Sequence, residues 1–149
     1  MKLALTEPQI NEIADFLDSG MICYYNKETG EIKYILDSDD YFDDEEDPWA
    51  EDRKKIEDNQ DQYLEFTGMS SYEAFKVMED FAGSVDSLEL KHLLFGALSR
   101  PKPFSNFKWL VETSGPYRQQ WFDHKRSAFI RWVEDQIRMH NDMMELEED

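Results

Sequence analysis

The sequence predicts an α+β domain: a small antiparallel sheet, a hairpin with room for a third strand, packed on a mostly helical C-terminal half. Three observations predict it. Two β-branched and aromatic runs near the front flank a turn that contains glycine. From about residue 70 onward, apolar residues recur at helical spacing. Four Trp, seven Tyr and ten Phe among 149 residues supply core material that disordered acidic chains lack.

Thr6, Pro8 and Gln9 read as a helix start, with Thr6 as cap and Gln9 reaching back to it. Ile10, Ile13, Ala14 and Leu17 continue it, and Gly20 closes it. Residues 21–25 and 32–36 read as the hairpin strands, with Gly30 supplying the positive φ of the turn. Residues 37–47 hold eight acids, so a solvated loop is expected there. Asp47 and Pro48 open a polar helix over about residues 48–59, and Gln62 to Phe66 can add a third strand. Ser70 and Glu73 suggest a capping box for a helix stopped by Gly83. A second helix over 87–98 ends at Pro101 and Pro103, which cannot sit inside a helix without losing hydrogen bonds. A short helix then carries Phe104, Phe107, Trp109, Leu110 and Val111. A long one runs from about 116 to 140, and the tail 141–149 is expected to fray. No repeat and no long linker occurs, so one domain over 1–149 is expected.

Composition excludes several classes. The longest uninterrupted apolar stretch is residues 21–25, against about 18 residues for a membrane span. A single cysteine, Cys23, forbids an internal disulfide and fits a reducing compartment. No long apolar run precedes Glu7, so no secretory leader is expected, and the location read from these features is cytoplasmic.

Charge is lopsided. The net charge is −18 and mean hydropathy is −0.75. Residues 37–61 hold 13 acids and 3 bases, whereas residues 91–131 hold 8 bases and only Glu112 and Asp123 as acids. With a Debye length of roughly 8 Å in physiological salt, each segment presents its own field.

Two candidate surfaces follow. The first is the acidic loop with its aromatics, Asp39, Asp40, Tyr41, Phe42, Asp43, Asp44 and Trp49, which fits a protein partner with a basic surface. The second is a basic cluster of Arg100, Lys102, Lys108, Arg118 and Lys125, which fits a small anion or nucleic acid. On a helical wheel Arg118 and Lys125 fall on the apolar face of Tyr117, Trp121, Phe122, Ala128, Phe129, Trp132 and Val133. There they either pair internally, with Arg118 lying over Trp121, or converge on an anion pocket floored by aromatics.

The chemistry-bearing residues make no known motif. An EF-hand started at Asp37 fails, since Tyr41 and Phe42 occupy the fifth and sixth positions. His92, His124, His140 and Cys23 lack zinc spacing, and His92 and His124 read as helix-surface residues. Cys23 reads as a small core filler. No glycine-rich phosphate loop occurs, no cofactor or metal is implied, and catalytic residues are not identifiable.

The hairpin 24–32, the stretch 63–81, Phe104 to Lys108, and Arg118 to Lys125 followed by Arg131 to Glu134 resemble a family of bacterial proteins, number 158 in the uncharacterised-protein-family series. The similarity covers roughly residues 6–137. Arg100, Phe104, Phe107, Lys108, Arg118, Trp121 and Lys125 keep the family's residue type. Ser99, Pro101, an extra residue before Phe104, Ser105, Asn106 and His124 depart from it. Two arginines of the pattern are lost at Ser105 and Asn106, which thins any basic site. The resemblance implies kinship and no activity. The leading expectation is therefore a non-enzymatic binding protein acting through its acidic loop. An anion or nucleic-acid binder and an enzyme with an unrecognised site are the alternatives.

Overall fold

Two side chains set where the first helix, α1 (Glu7–Asp18), begins. Gln9 N–H donates to Thr6 Oγ1 at 3.3 Å and Thr6 N–H donates to Gln9 Oε1 at 2.9 Å, a complete capping box. The computed structural model describes residues 3–36 and 50–148. It divides into two compact units, Met1–Gly68 with Phe129–Asp149, and Met69–Ala128. The acidic loop 37–47 and Trp49 lie outside the described residues.

In the first unit, Gly20 at φ +87° turns the chain out of α1 into strand β1 (Met21–Asn26). β1 pairs antiparallel with β2 (Ile32–Leu36), and on its other edge with β3 (Tyr63–Phe66), giving the order β2-β1-β3. The third strand allowed by the sequence is present. The hairpin turn is built on buried Asn26, whose side-chain oxygen accepts from Glu28 N–H at 2.8 Å and Thr29 N–H at 3.1 Å. Cross-strand register puts Cys23 opposite Tyr34 and Phe66, and Tyr25 opposite Ile32 and Leu64. That face packs with Ile13, Ala14 and Leu17 of α1 and with Val133 and Ile137 of the last helix, α6 (Tyr117–Glu148). The alternation in β3 also resolves: Tyr63 and Glu65 share one face, Leu64 and Phe66 the other.

On the opposite face, Lys33 anchors α2 (Ala50–Asp58) to the sheet through Asp52 at 3.2 Å, with Glu31 at 3.3 Å. Burial works against the Lys33 ammonium, but hydrogen bonds to Asp52 and Glu31 outweigh it and raise its pKa. In the same unit the Trp132 indole N–H donates to the Thr67 carbonyl at 2.7 Å. Asn141 brackets the backbone of Leu3, accepting from its N–H at 2.7 Å and donating to its carbonyl at 3.0 Å. These bonds fall beyond residue 140, where the sequence placed the helix end, and α6 continues through Glu148.

The second unit is helical: α3 (Ser71–Ser84), α4 (Leu88–Leu98), α5 (Pro103–Glu112) and the start of α6. Ser70 and Ser87 cap α3 and α4, accepting from Glu73 N–H and Leu90 N–H. The Ser70 hydroxyl in turn donates to Glu73 Oε1 at 3.0 Å. The stop expected at Gly83 falls later, because Gly83 stays helical and the chain extends at Val85. Phe81, Leu94, Phe107, Val111 and Trp121 form this unit's core.

Two substitutions separate core from cap. Phe66→Ala removes a fully buried ring and is expected to lower stability by about 3–5 kcal/mol. Thr6→Ala removes one cap and is expected to cost about 1 kcal/mol. Urea unfolding monitored by circular dichroism checks both magnitudes, and the reverse order would contradict the assignment of Phe66 to the core.

Candidate functional site

The proline pair that separates α4 from α5 also shapes a small groove. Arg100 N–H still closes a turn on the Ala97 carbonyl at 3.3 Å. Lys102, between Pro101 and Pro103, then takes φ +57° and ψ +52°, a left-handed conformation that side chains with a Cβ adopt only under strain. Asn106 secures the new direction: its side-chain amide donates to the Pro101 carbonyl at 3.0 Å. The result is a groove of about 240 Å³ between α4 and α5. His92, Leu93, Gly96 and Ala97 come from α4, Arg100 from the turn that follows it, and Asn106, Trp109 and Leu110 from α5. The α4 residues follow the spacing of one helical face.

Trp109 and Phe104, which the sequence placed among the apolar residues of the short helix, are exposed, Trp109 by 64%. A ten-residue helix offers the core only one stripe, and Phe107 and Val111 fill it. His92 is exposed as expected. Among the described residues no carboxylate lies within ion-pair distance of Arg100.

Behind the groove, Phe81, Phe107 and Trp121 meet edge to face, with centroids 5.0–6.3 Å apart. His124 differs from its surface reading. Its ring lies 5.5 Å from Phe81 and 6.2 Å from Trp121, and Nε2 is 3.2 Å from the Val77 carbonyl. A carbonyl only accepts, so Nε2 carries the proton in this contact. His124 therefore ties α6 to α3, a role that neither spacing nor neighbours announced.

The basic cluster is distributed over distinct positions. Arg100 lines the groove, Lys102 forms the strained cap of α5, and Lys108 is exposed on α5. Arg118 is exposed and its guanidinium sits 5.2 Å from the Phe122 ring, not over Trp121. The Lys125 ammonium sits 5.6 Å from Phe122 and 5.9 Å from Trp121. Arg118 and Lys125 thus cover the exposed side of Phe122, as cations over aromatic faces do. The wheel grouped residues that the two units bury separately: Trp121 and Ala128 in one, Val133 in the other. The residues that spacing did not single out are His92, Asn106 and Trp109. The available signal was two short stripes on neighbouring helices, each too brief to stand out.

Elsewhere, Cys23 is fully buried, and burial, reinforced by the charge of Glu12, pushes its thiol from 9.0 up to about 12. Among the described residues no group of three His, Cys, Asp or Glu side chains is placed to hold a metal ion. No helix among them is long and apolar enough to cross a membrane.

These features define the class: an α+β protein with a three-stranded antiparallel sheet, a helical C-terminal half and a small mixed groove between two of its helices. The chain belongs to the uncharacterised protein family UPF0158, whose model matches residues 3–149. No curated protein and no solved structure matches it.

The state of Cys23 gives a direct check. Only the thiolate reacts readily, and a raised pKa keeps the folded state in the thiol form at pH 8. A disulfide reagent at pH 8 is expected to label no thiol in the native protein and one per chain in 6 M guanidinium. Rapid native labelling would contradict the sealed position.

Proposed function

We propose that this protein is a non-catalytic, cytoplasmic binding protein that engages a basic protein partner through its acidic unit. One observation carries the reading. The unit formed by Met1–Gly68 and Phe129–Asp149 contains 27 acidic and 8 basic side chains, whereas Met69–Ala128 contains 7 and 8. Charge concentrated in this way raises the local concentration of an oppositely charged partner and accelerates encounter. Asp39, Asp40, Tyr41, Phe42, Asp43, Asp44 and Trp49 belong to this unit and carry the contact in the proposal. Their aromatic side chains suit the apolar centre of an interface whose rim is charged.

The second reading, a small-anion or nucleic-acid binder, has one specific observation in its favour: Arg100 lacks an ion-pair partner among the described residues. Nucleic acid is the weaker form of it, since a chain of net charge −18 repels a polyanion at long range.

Affinity capture with the full chain, with and without nuclease, separates the readings. Deletion of residues 38–46 is expected to reduce capture of a basic protein at least tenfold, and raising NaCl from 50 to 500 mM is expected to release it. Capture that survives the deletion and is lost on nuclease treatment, or on Lys108→Glu, would replace the first reading with the second.

A further inference from the structure

We propose that the groove between α4 and α5 is a binding site for a small aromatic carboxylate. The proposal deepens the anion reading above and is independent of the acidic unit. Size sets the first limit. At about 240 Å³ the groove falls below the roughly 300–1,000 Å³ of sites that take drug-sized ligands. One ring system with a short acid arm suits that space.

Charge sets the second limit. Arg100 brings a guanidinium cation to the groove, and no carboxylate among the described residues lies within ion-pair distance of it. Its planar fork matches the two oxygens of a carboxylate. Lys108 is not among the groove's lining residues, so the site offers one permanent cation and suits a monoanion. A polyanion needs several cations in register, because its affinity comes from counterions released by each neutralised phosphate.

The remaining lining residues specify an aromatic ring. Trp109 presents a largely exposed indole, with Leu93 and Leu110 as further apolar walls. Asn106 spends its amide N–H on the Pro101 carbonyl, which fixes the side chain and leaves its oxygen free to accept from a ring N–H or hydroxyl. The floor is open: a Cβ built on Gly96 meets nothing within 4 Å. Gly96 is helical, so a larger side chain can be placed there without breaking α4.

The test is a titration of the full chain followed by the indole N–H resonance of Trp109, using benzoate, phenylacetate and indole-3-acetate beside their neutral amides. At least one carboxylate is expected to saturate with a Kd of about 1 mM or tighter, the affinity usual for a ligand of that size. Its amide is expected to bind at least tenfold more weakly. Arg100→Gln should give the same loss for the carboxylate and none for the amide. Gly96→Leu should abolish binding while circular dichroism keeps its helical signal. Equal binding of acid and amide, no effect of Arg100→Gln, or no saturation by any carboxylate would overturn the proposal. Tighter binding of an acidic peptide than of every small carboxylate would overturn it in favour of a peptide ligand. None of these outcomes bears on capture of a basic protein.

Discussion

A unit with 27 carboxylic acids and 8 bases can fold only if its apolar side chains leave water while its carboxylates keep theirs. The sheet meets that constraint. Central strand β1 is hydrogen-bonded on both edges, and its Cys23 and Tyr25 bring β2 and β3 side chains onto a single face. Ile13, Leu17, Val133 and Ile137 close over that face. Among the described residues no charged side chain is fully buried, and the acidic excess of this unit is what the proposed function uses. Where a cation is drawn inward, at Lys33 with its side chain only 11% exposed, the more exposed Asp52 and Glu31 match it.

The helical unit solves a different problem. Its charges nearly balance, and its core is organised by aromatic edges meeting faces around Phe81, Phe107 and Trp121. Large rings fill the interior efficiently but leave the short α5 with apolar side chains it cannot bury. Trp109 and Phe104 stay outside for that reason. The proline-bounded turn then sets α5 against α4 so that Trp109, Arg100 and Asn106 line one groove. Chain stiffness at Pro101 and Pro103, the strained Lys102 and the Asn106 bond hold this arrangement together.

Much of the fold was legible in the sequence, because its signals are local. Thr6 with Gln9, Gly30 in the hairpin turn, and the cap at Ser70 each act within a few residues, and each is in place. The helix ends were read less well where distant groups decide them. Asn141 bonds Leu3 far away in sequence, and nothing near residue 141 records that contact. The site was legible only in part, for the same reason. Arg100 stood out as a cation, but its neighbours in the groove depend on how two helices meet. His124 looked like a surface residue because its partner, the Val77 carbonyl, sits on another helix. Arg118 and Lys125 lie against the aromatic residues the wheel grouped them with, but the wheel does not say which ring each cation covers.

The central claim is that the acidic excess of the first unit is unneutralised and available to a partner. The urea midpoint measured at 20 and 200 mM NaCl tests it most directly. Self-repulsion within a unit of 27 acids and 8 bases predicts a midpoint that rises with salt, as screening relieves it. A midpoint that falls would mean that those acids are engaged in ion pairs within the chain, leaving no field for a basic partner to meet.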